Sequence, residues 1–340
     1  LTAAVVRRRD EDPSTVPALA YPELVGEPAV GDRVLLNLNA LARGLGTGGY
    51  ALVVALPDRL PPDVDRPGHI VKARYTPMQA LVLAAEEDAS PYRAGLAGAD
   101  SLDRMPVVTA GLHSAVPAIV AGVLERHPAA RVAYLMTDGA ALPAWFSRTL
   151  DALHDRLAGI VTVGQAFGGD LEATNVHSGL LVARHALHAD VAIVAQGPGN
   201  VGTGTAWGFS GLAVGEAVNA AAVLGGRPVG ALRISTADPR TRHRGVSHHS
   251  LTAYGRVALA PADLVVPAGL EPELAAGIEA ALKPLTDRHR VVTVEVDGLD
   301  EALRDSPVPL ATMGRGLADE YAYFLASAAA GRYAAGLIGD

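Results

Sequence analysis

From about residue 105 onward, short apolar runs alternate with longer stretches whose apolar positions recur every three to four residues, and no other feature restricts the chain so much. The apolar runs are Val107 to Ala110, Val132 to Met136, Gly159 to Val163, Val191 to Ala195, Val229 to Ile234, Leu264 to Val266 and Val291 to Val296. Helical stretches separate them: Ser114 to Arg126, Leu142 to Leu157, Thr174 to Leu187, Gly211 to Leu224 and Glu271 to Leu285. Strands that are apolar throughout must be covered on both faces, so the pattern predicts an α/β fold with a mostly parallel sheet between two helical layers. No internal repeat or low-complexity tract competes with this reading.

The first seventy-odd residues behave differently. Short alternating or β-branched stretches, Ala3 to Arg7, Asp32 to Leu38 and Tyr50 to Leu56, are broken by turn-rich pieces such as Asp12-Pro13-Ser14 and Gly44 to Gly49. A small β-barrel-like module is expected over residues 1–75, with Arg59 to Pro67 as its exit linker and the α/β domain over 76–340. The length of 340 residues suits one large domain and one small one.

Composition removes several functions. The net charge is -8 and only Lys72 and Lys283 are lysines, so no basic stripe suggests a nucleic-acid partner. The absence of cysteine excludes disulfides, thiolate nucleophiles and cysteine metal sites. No apolar run is long enough to span a membrane and the N-terminus lacks a signal-peptide pattern, so a cytoplasmic protein, by default a homo-oligomer, is expected. A start at Leu1 rather than Met suggests that native residues precede this numbering.

In a parallel sheet with helical crossovers, ligands bind where the strands end and the following helices begin. That rule sorts the histidines. His113, His177, His243, His248 and His249 fall on this edge, whereas His127, His154, His185 and His188 lie near helix ends, where the helix dipole accounts for them. Asp138, the segment Gly168 to Glu172 and Asp238 bring carboxylates to the same rim, although Asp138-Gly139 also reads as a turn. After the run ending at Ala195 comes a glycine loop in which Gly197, Gly199 and Gly202 have dinucleotide-fingerprint spacing. No helix begins inside it and no acidic residue closes a following strand, so the loop reads instead as an anion cradle built with Asn200, Thr203 and Thr205, or as close packing alone.

Arg240 to Thr252 holds three histidines, three arginines and four hydroxyls. One reading is anion recognition: Arg242 and Arg244 hold a phosphate or carboxylate with Ser247 nearby, and His248 or His249 moves a proton, its tautomer set by Asp138 or Asp238. Asn175 and His177 would complete the pocket. The metal reading would use Asp238, His243 and His248, but adjacent histidines in an extended segment point opposite ways, so no metal is assigned. A loop clamp or subunit contact is the structural alternative, and without a G-x-S-x-G elbow a hydrolase triad is disfavoured.

Val30 to Asn37 with Gly44 to Tyr50, Gly68 to Gln79, Val194 to Thr205, Arg242 to Thr252 and Thr312 to Gly316 together resemble a bacterial family of unknown function, seen mainly in actinobacteria and firmicutes. The resemblance spans nearly the whole chain. It implies a bacterial, cytoplasmic setting and carries no mechanism or cofactor. Two of its blocks add candidates: His69, Lys72 and Arg74 at the domain join, with surface charge the plainer role for Lys72, and Arg315 before a helix expected over Leu317 to Ala330. The expectation is thus an enzyme acting on a small anionic, phosphate-bearing metabolite, with a non-catalytic ligand sensor or assembly component, or a His/Asp metal-dependent enzyme, as alternatives.

Overall fold

A computed structural model of the chain describes residues 2–5, 14–63 and 65–339. Two compact units result, Leu1–Pro67 with Ala73–Leu81, and Gly68–Lys72 with Val82–Asp340.

The larger unit is built on an eight-stranded sheet, here numbered β1 (Pro106–Ala110), β2 (Val132–Thr137), β3 (Gly159–Thr162), β4 (Leu171–Glu172), β5 (Val191–Gln196), β6 (Arg227–Ala231), β7 (Asp263–Pro267) and β8 (Arg290–Val294). The spatial order is β4-β3-β2-β5-β1-β6-β7-β8 and every pairing is parallel. Each expected run contributes a strand, although the one expected from Val229 to Ile234 leaves the sheet after Ala231 and Ile234 pairs elsewhere; β1, β2, β3 and β5 are buried along their whole length, which continuous apolar runs tolerate. Short β4 was not anticipated; two residues carry no detectable period.

Successive strand residues face opposite layers. Val108, Tyr134 and Ile193 join a core with helices α1 (Val116–Arg126) and α8 (Tyr321–Ala335). Val107, Leu135 and Val194 join another with α3 (Val176–His185) and α4 (Ala213–Val223). The stretch expected as one helix from Leu142 to Leu157 is broken: α2 covers only Arg148–Leu153, because Ser147 caps it by accepting a bond from Leu150 N–H.

Helices α1 and α8 approach so closely that glycine is required at the contact. A Cβ at Gly331 would lie 2.1 Å from the Ile119 carbonyl oxygen, and one at Gly122 1.9 Å from that of Ala328. Backbone cannot move aside as a side chain can. Gly331→Ala is therefore expected to destabilise by about 1–3 kcal/mol; a urea midpoint equal to wild type would show that the helices can separate without cost.

The smaller unit holds a mixed sheet of four strands in the order Thr2–Val5, Ser14–Leu19, Ala51–Ala55, Leu35–Asn37. Among the described residues no pairing closes it into a barrel. A core of Ala18, Val25, Ala51, Val53 and Leu56 supports it. Part of the strand expected over Ala3 to Arg7, and Asp12-Pro13 of the expected turn, lie outside the described residues, as does Val64 of the expected linker.

Lys72 belongs to the larger unit and corrects the expectation of a surface charge. It is fully buried, and its Nζ donates to the carbonyls of Ala166 and Ala173 at 3.0 and 2.9 Å, with Glu172 at 3.4 Å. Its chemistry is spent on bracing the loops after β3 and β4.

Candidate functional site

Helix α1 follows β1 on one face of the sheet and α4 follows neighbouring β5 on the other, so the connections diverge where these two strands end. Such a divergence opens a crevice. It is open to solvent, offers a volume of about 390 Å³ and is lined by His113, Ser114, Gly197 to Asn200, Thr312 and Met313. Since β6 flanks β1, the loops after β5, β1 and β6 share one edge.

The histidine segment after β6 is helical where it was expected to be extended. The antiparallel pair Ile234–Ser235 and Gly245–Val246 carries the chain out and back, with a 3-10 turn over Thr241–His243 between them. Ser247 then caps α5 (His248–Thr252), its hydroxyl accepting from His249 N–H at 3.2 Å. Helical residues step by about 100° rather than the near 180° of a strand, so adjacent side chains no longer oppose. Ring centroids of His248 and His249 are 4.4 Å apart, and His243 lies 4.9 and 4.8 Å from them. A π-helical turn, Ala253–Val257, continues α5 and is pinned through Tyr254, whose buried hydroxyl donates to the Thr109 carbonyl at 2.8 Å.

The glycine loop closes over this cluster. Phe209 stacks on His249 at 3.8 Å and 5°, Gly202 lies against the His249 ring edge, and Gly204 lies against the Arg242 guanidinium. Trp207 sits beneath Arg256 of the π turn at 4.1 Å. Within the loop Thr203 and Thr205 bond each other and Gly208, and Asn200 accepts from Gln196 and Ser210. These hydroxyls and amide hold the loop shape. Gly197 is a packing requirement, since a Cβ there would meet the Ala141 carbonyl at 2.7 Å, whereas Gly199, at φ +99°, is open to solvent and needs glycine for its backbone.

Asp238 is neither a metal ligand nor an orienting partner for imidazole. It is fully buried; Arg240 donates to both carboxylate oxygens at 2.9 and 2.8 Å, Arg233 donates at 2.9 Å and Arg315 at 3.3 Å. Its lone pairs are consumed by guanidinium groups. The Arg240 bonds, with further help from Arg233, hold this carboxyl well below the usual range. Arg315, a candidate anion holder, is occupied here and by Glu320 at 2.6 Å. Asp138 accepts from Gln165 N–H and sets the loop after β3, with no bond to histidine among the described residues. The hydroxyl of Ser247 takes the orienting role instead, 2.7 Å from His243 Nδ1.

Asn175 and His177 stand apart. Asn175 forms a capping box with Ser178 at the start of α3, which follows β4 at the sheet edge, four strands from β1. At about 4.8 Å per strand this is roughly 19 Å away. Arg244 spends its Nε on the Asp238 carbonyl, whereas Arg242 is exposed and makes no hydrogen bond or ion pair among the described residues.

Burial, with Arg233 and Arg240 nearby, pushes His243 down to about 3; burial and the other two imidazoles do the same for His249; burial and Arg242 lower His248. All three rings are neutral at physiological pH. That state is poorly matched to proton shuttling near pH 7 and well matched to lone-pair donation.

Arg233 and His113 were the functional-edge groups hardest to assign from sequence. Arg233 directly precedes the expected end of its strand, and only its pairing with Asp238 marks it. The sequence puts His113 on the edge, but its buried partners, Ser147 at 2.7 Å and Tyr134 at 3.1 Å, come from distant segments.

Fold and site together define a doubly wound parallel α/β protein with a rim of imidazole and guanidinium groups at its strand ends. The chain belongs to the family described as "Protein of unknown function (DUF3866)", whose model matches residues 17–331. No curated protein matches it. Among the described residues no helix is long and apolar enough to cross a membrane.

Proposed function

We propose that the rim after β5, β1 and β6 binds a small anionic metabolite bearing phosphate or carboxylate, and that the protein acts on it as an enzyme. One observation carries the reading: the glycine loop and the Arg/His loop, separate in sequence, fold against each other so that Gly204 and Arg242 meet beside the imidazole cluster. The local charge favours an anion. Arg233, Arg240 and Arg315 outnumber Asp238 and Glu320, the imidazoles are neutral, and Arg242 adds a further positive charge with no carboxylate partner among the described residues. A guanidinium in this position can bind carboxylate or phosphate in a bidentate manner.

Thermal-shift screening of the whole chain against inorganic phosphate, sugar phosphates and small carboxylates tests the reading. A bound anion raises the melting temperature by mass action. Arg242→Ala should weaken binding roughly 10- to 100-fold, the worth of one charge-assisted hydrogen bond, while its melting temperature without ligand stays at the wild-type value. No stabilisation by any anion, or equal binding by R242A, would reject the assignment.

A further inference from the structure

We infer that His243, His248 and His249 form a three-imidazole site for one divalent transition metal ion of the zinc class, with a coordination position left for water or an anion. One ligand atom from each ring lies within 4.8 Å of the other two. The rings come from two elements, a 3-10 turn and a capped helix, and no acidic residue intrudes because Asp238 is committed to arginines. Imidazole nitrogens suit zinc, copper, nickel or iron; magnesium and calcium require oxygen ligands.

Hydrogen bonding separates this cluster from ordinary packing. The chain's other buried histidines have both ring nitrogens paired: His113 with Tyr134 and Ser147, His289 with Ala262 N–H and the Tyr254 carbonyl. In the cluster, among the described residues, only His243 Nδ1 has a partner, and His248 Nε2 is buried with none. An unpaired buried polar atom is costly, and a native structure that keeps one invites a reason. Metal ligation supplies it.

The supporting groups have the form that a metal site requires. Ser247 engages His243 Nδ1 and leaves Nε2 as the available ligand atom, as outer partners of ligating histidines do. The Phe209 ring fixes the plane of His249, which with Arg233 lines a small adjoining cavity. Tetrahedral zinc at about 2.0–2.1 Å from each nitrogen puts ligand atoms roughly 3.3 Å apart, so ligand atoms now up to 4.8 Å apart must draw together by up to about 1.5 Å on binding. Three protein ligands with one open position is the arrangement of catalytic rather than structural zinc. The inference deepens the anion reading, since a metal with an open position beside Arg233 and Arg242 would take an oxyanion.

Titration of chelator-treated full chain with zinc, by calorimetry, and with cobalt(II), by absorption, tests the site without any anionic ligand. The expected result is one ion per chain and the intense visible bands of tetrahedral cobalt. His248→Gln and His249→Gln should each weaken binding by on the order of 100-fold or more, beyond the loss caused by removing an outer partner. His243 is deeply buried and its replacement could unfold the chain, so the two less buried positions carry the test, with exposed His127→Asn, at the opposite end of α1, as a control that binds normally. Folded protein that takes up no metal, or H248Q and H249Q variants that bind as wild type does, would overturn the inference. Anion binding lost in R242A but unchanged by metal removal would keep the anion reading and reject the metal's part in it.

Discussion

Asp238→Ala should be the most damaging single substitution on the rim, lowering unfolding free energy by about 3–5 kcal/mol, the cost of breaking a buried ion pair by removing one partner. The carboxylate is fully buried, and Arg233, which it pairs at 2.9 Å, is only 8% exposed. Without it Arg233 keeps its charge in a poorly solvated place, and Arg240 and Arg315 lose a shared partner. Its loss also removes the acceptor of the Arg240 backbone N–H, so the start of the Arg/His loop loosens as well. Urea unfolding should show a lower midpoint with an unchanged slope, and Asp238→Asn should recover part of the loss by keeping the shape and one acceptor. A midpoint within experimental error of wild type for D238A would mean that the arginines find water or other partners. The carboxyl is held below its ordinary range, so this contribution is complete above about pH 4, where the unfolded group ionises, and is lost as pH falls through the lower folded value.

His113 should contribute in a higher pH window, which it shares with the more strongly lowered His243 and His249, and its part is isolated by substitution. Burial pushes it down to about 4, against roughly 6.5 in an unfolded chain. Below about pH 6.5 the unfolded state takes up a proton that the folded state refuses, so stability is full above that value. It declines as pH falls, and the loss is complete near pH 4. At 1.36 kcal/mol per pKa unit, the decline attributable to this ring is about 3 kcal/mol. His113→Asn should be less stable at pH 7, because Ser147 and Tyr134 lose a partner, yet the gap from wild type should narrow toward pH 4. Parallel stability curves for the two proteins would show that His113 titrates alike in both states. The neutral ring suits its position: it bonds Tyr134, whose hydroxyl donates to the carbonyls of Ala195 and Gln196, and so ties the end of β1 to the end of β5 beneath the crevice.

The core elements were readable from sequence to the extent that burial leaves a period. Strands such as Val132–Thr137 and Val191–Gln196 announce themselves because both faces are covered and every position before the last is apolar. The rim was readable in address but not in contacts. The rule that ligand loops follow strand ends placed the glycine loop and the Arg/His loop on one edge, and that is where they lie. The same rule included Asn175 and His177, which share the edge but not the neighbourhood, because strand order is set by crossovers that composition does not encode. The histidine pair turns on one hydroxyl: with Ser247 as a cap the segment becomes helical, and rings expected to diverge converge.

The sequence by itself determined the layered α/β class, the absence of cysteine chemistry and the loops that carry the chemistry, since these depend on local periodicity and residue type. Only the tertiary structure decided that Asp238 serves arginines, that three imidazoles meet and that Phe209 covers one of them. Those outcomes depend on which strands become neighbours and on competition among distant groups for the same buried lone pairs, and no local pattern records either.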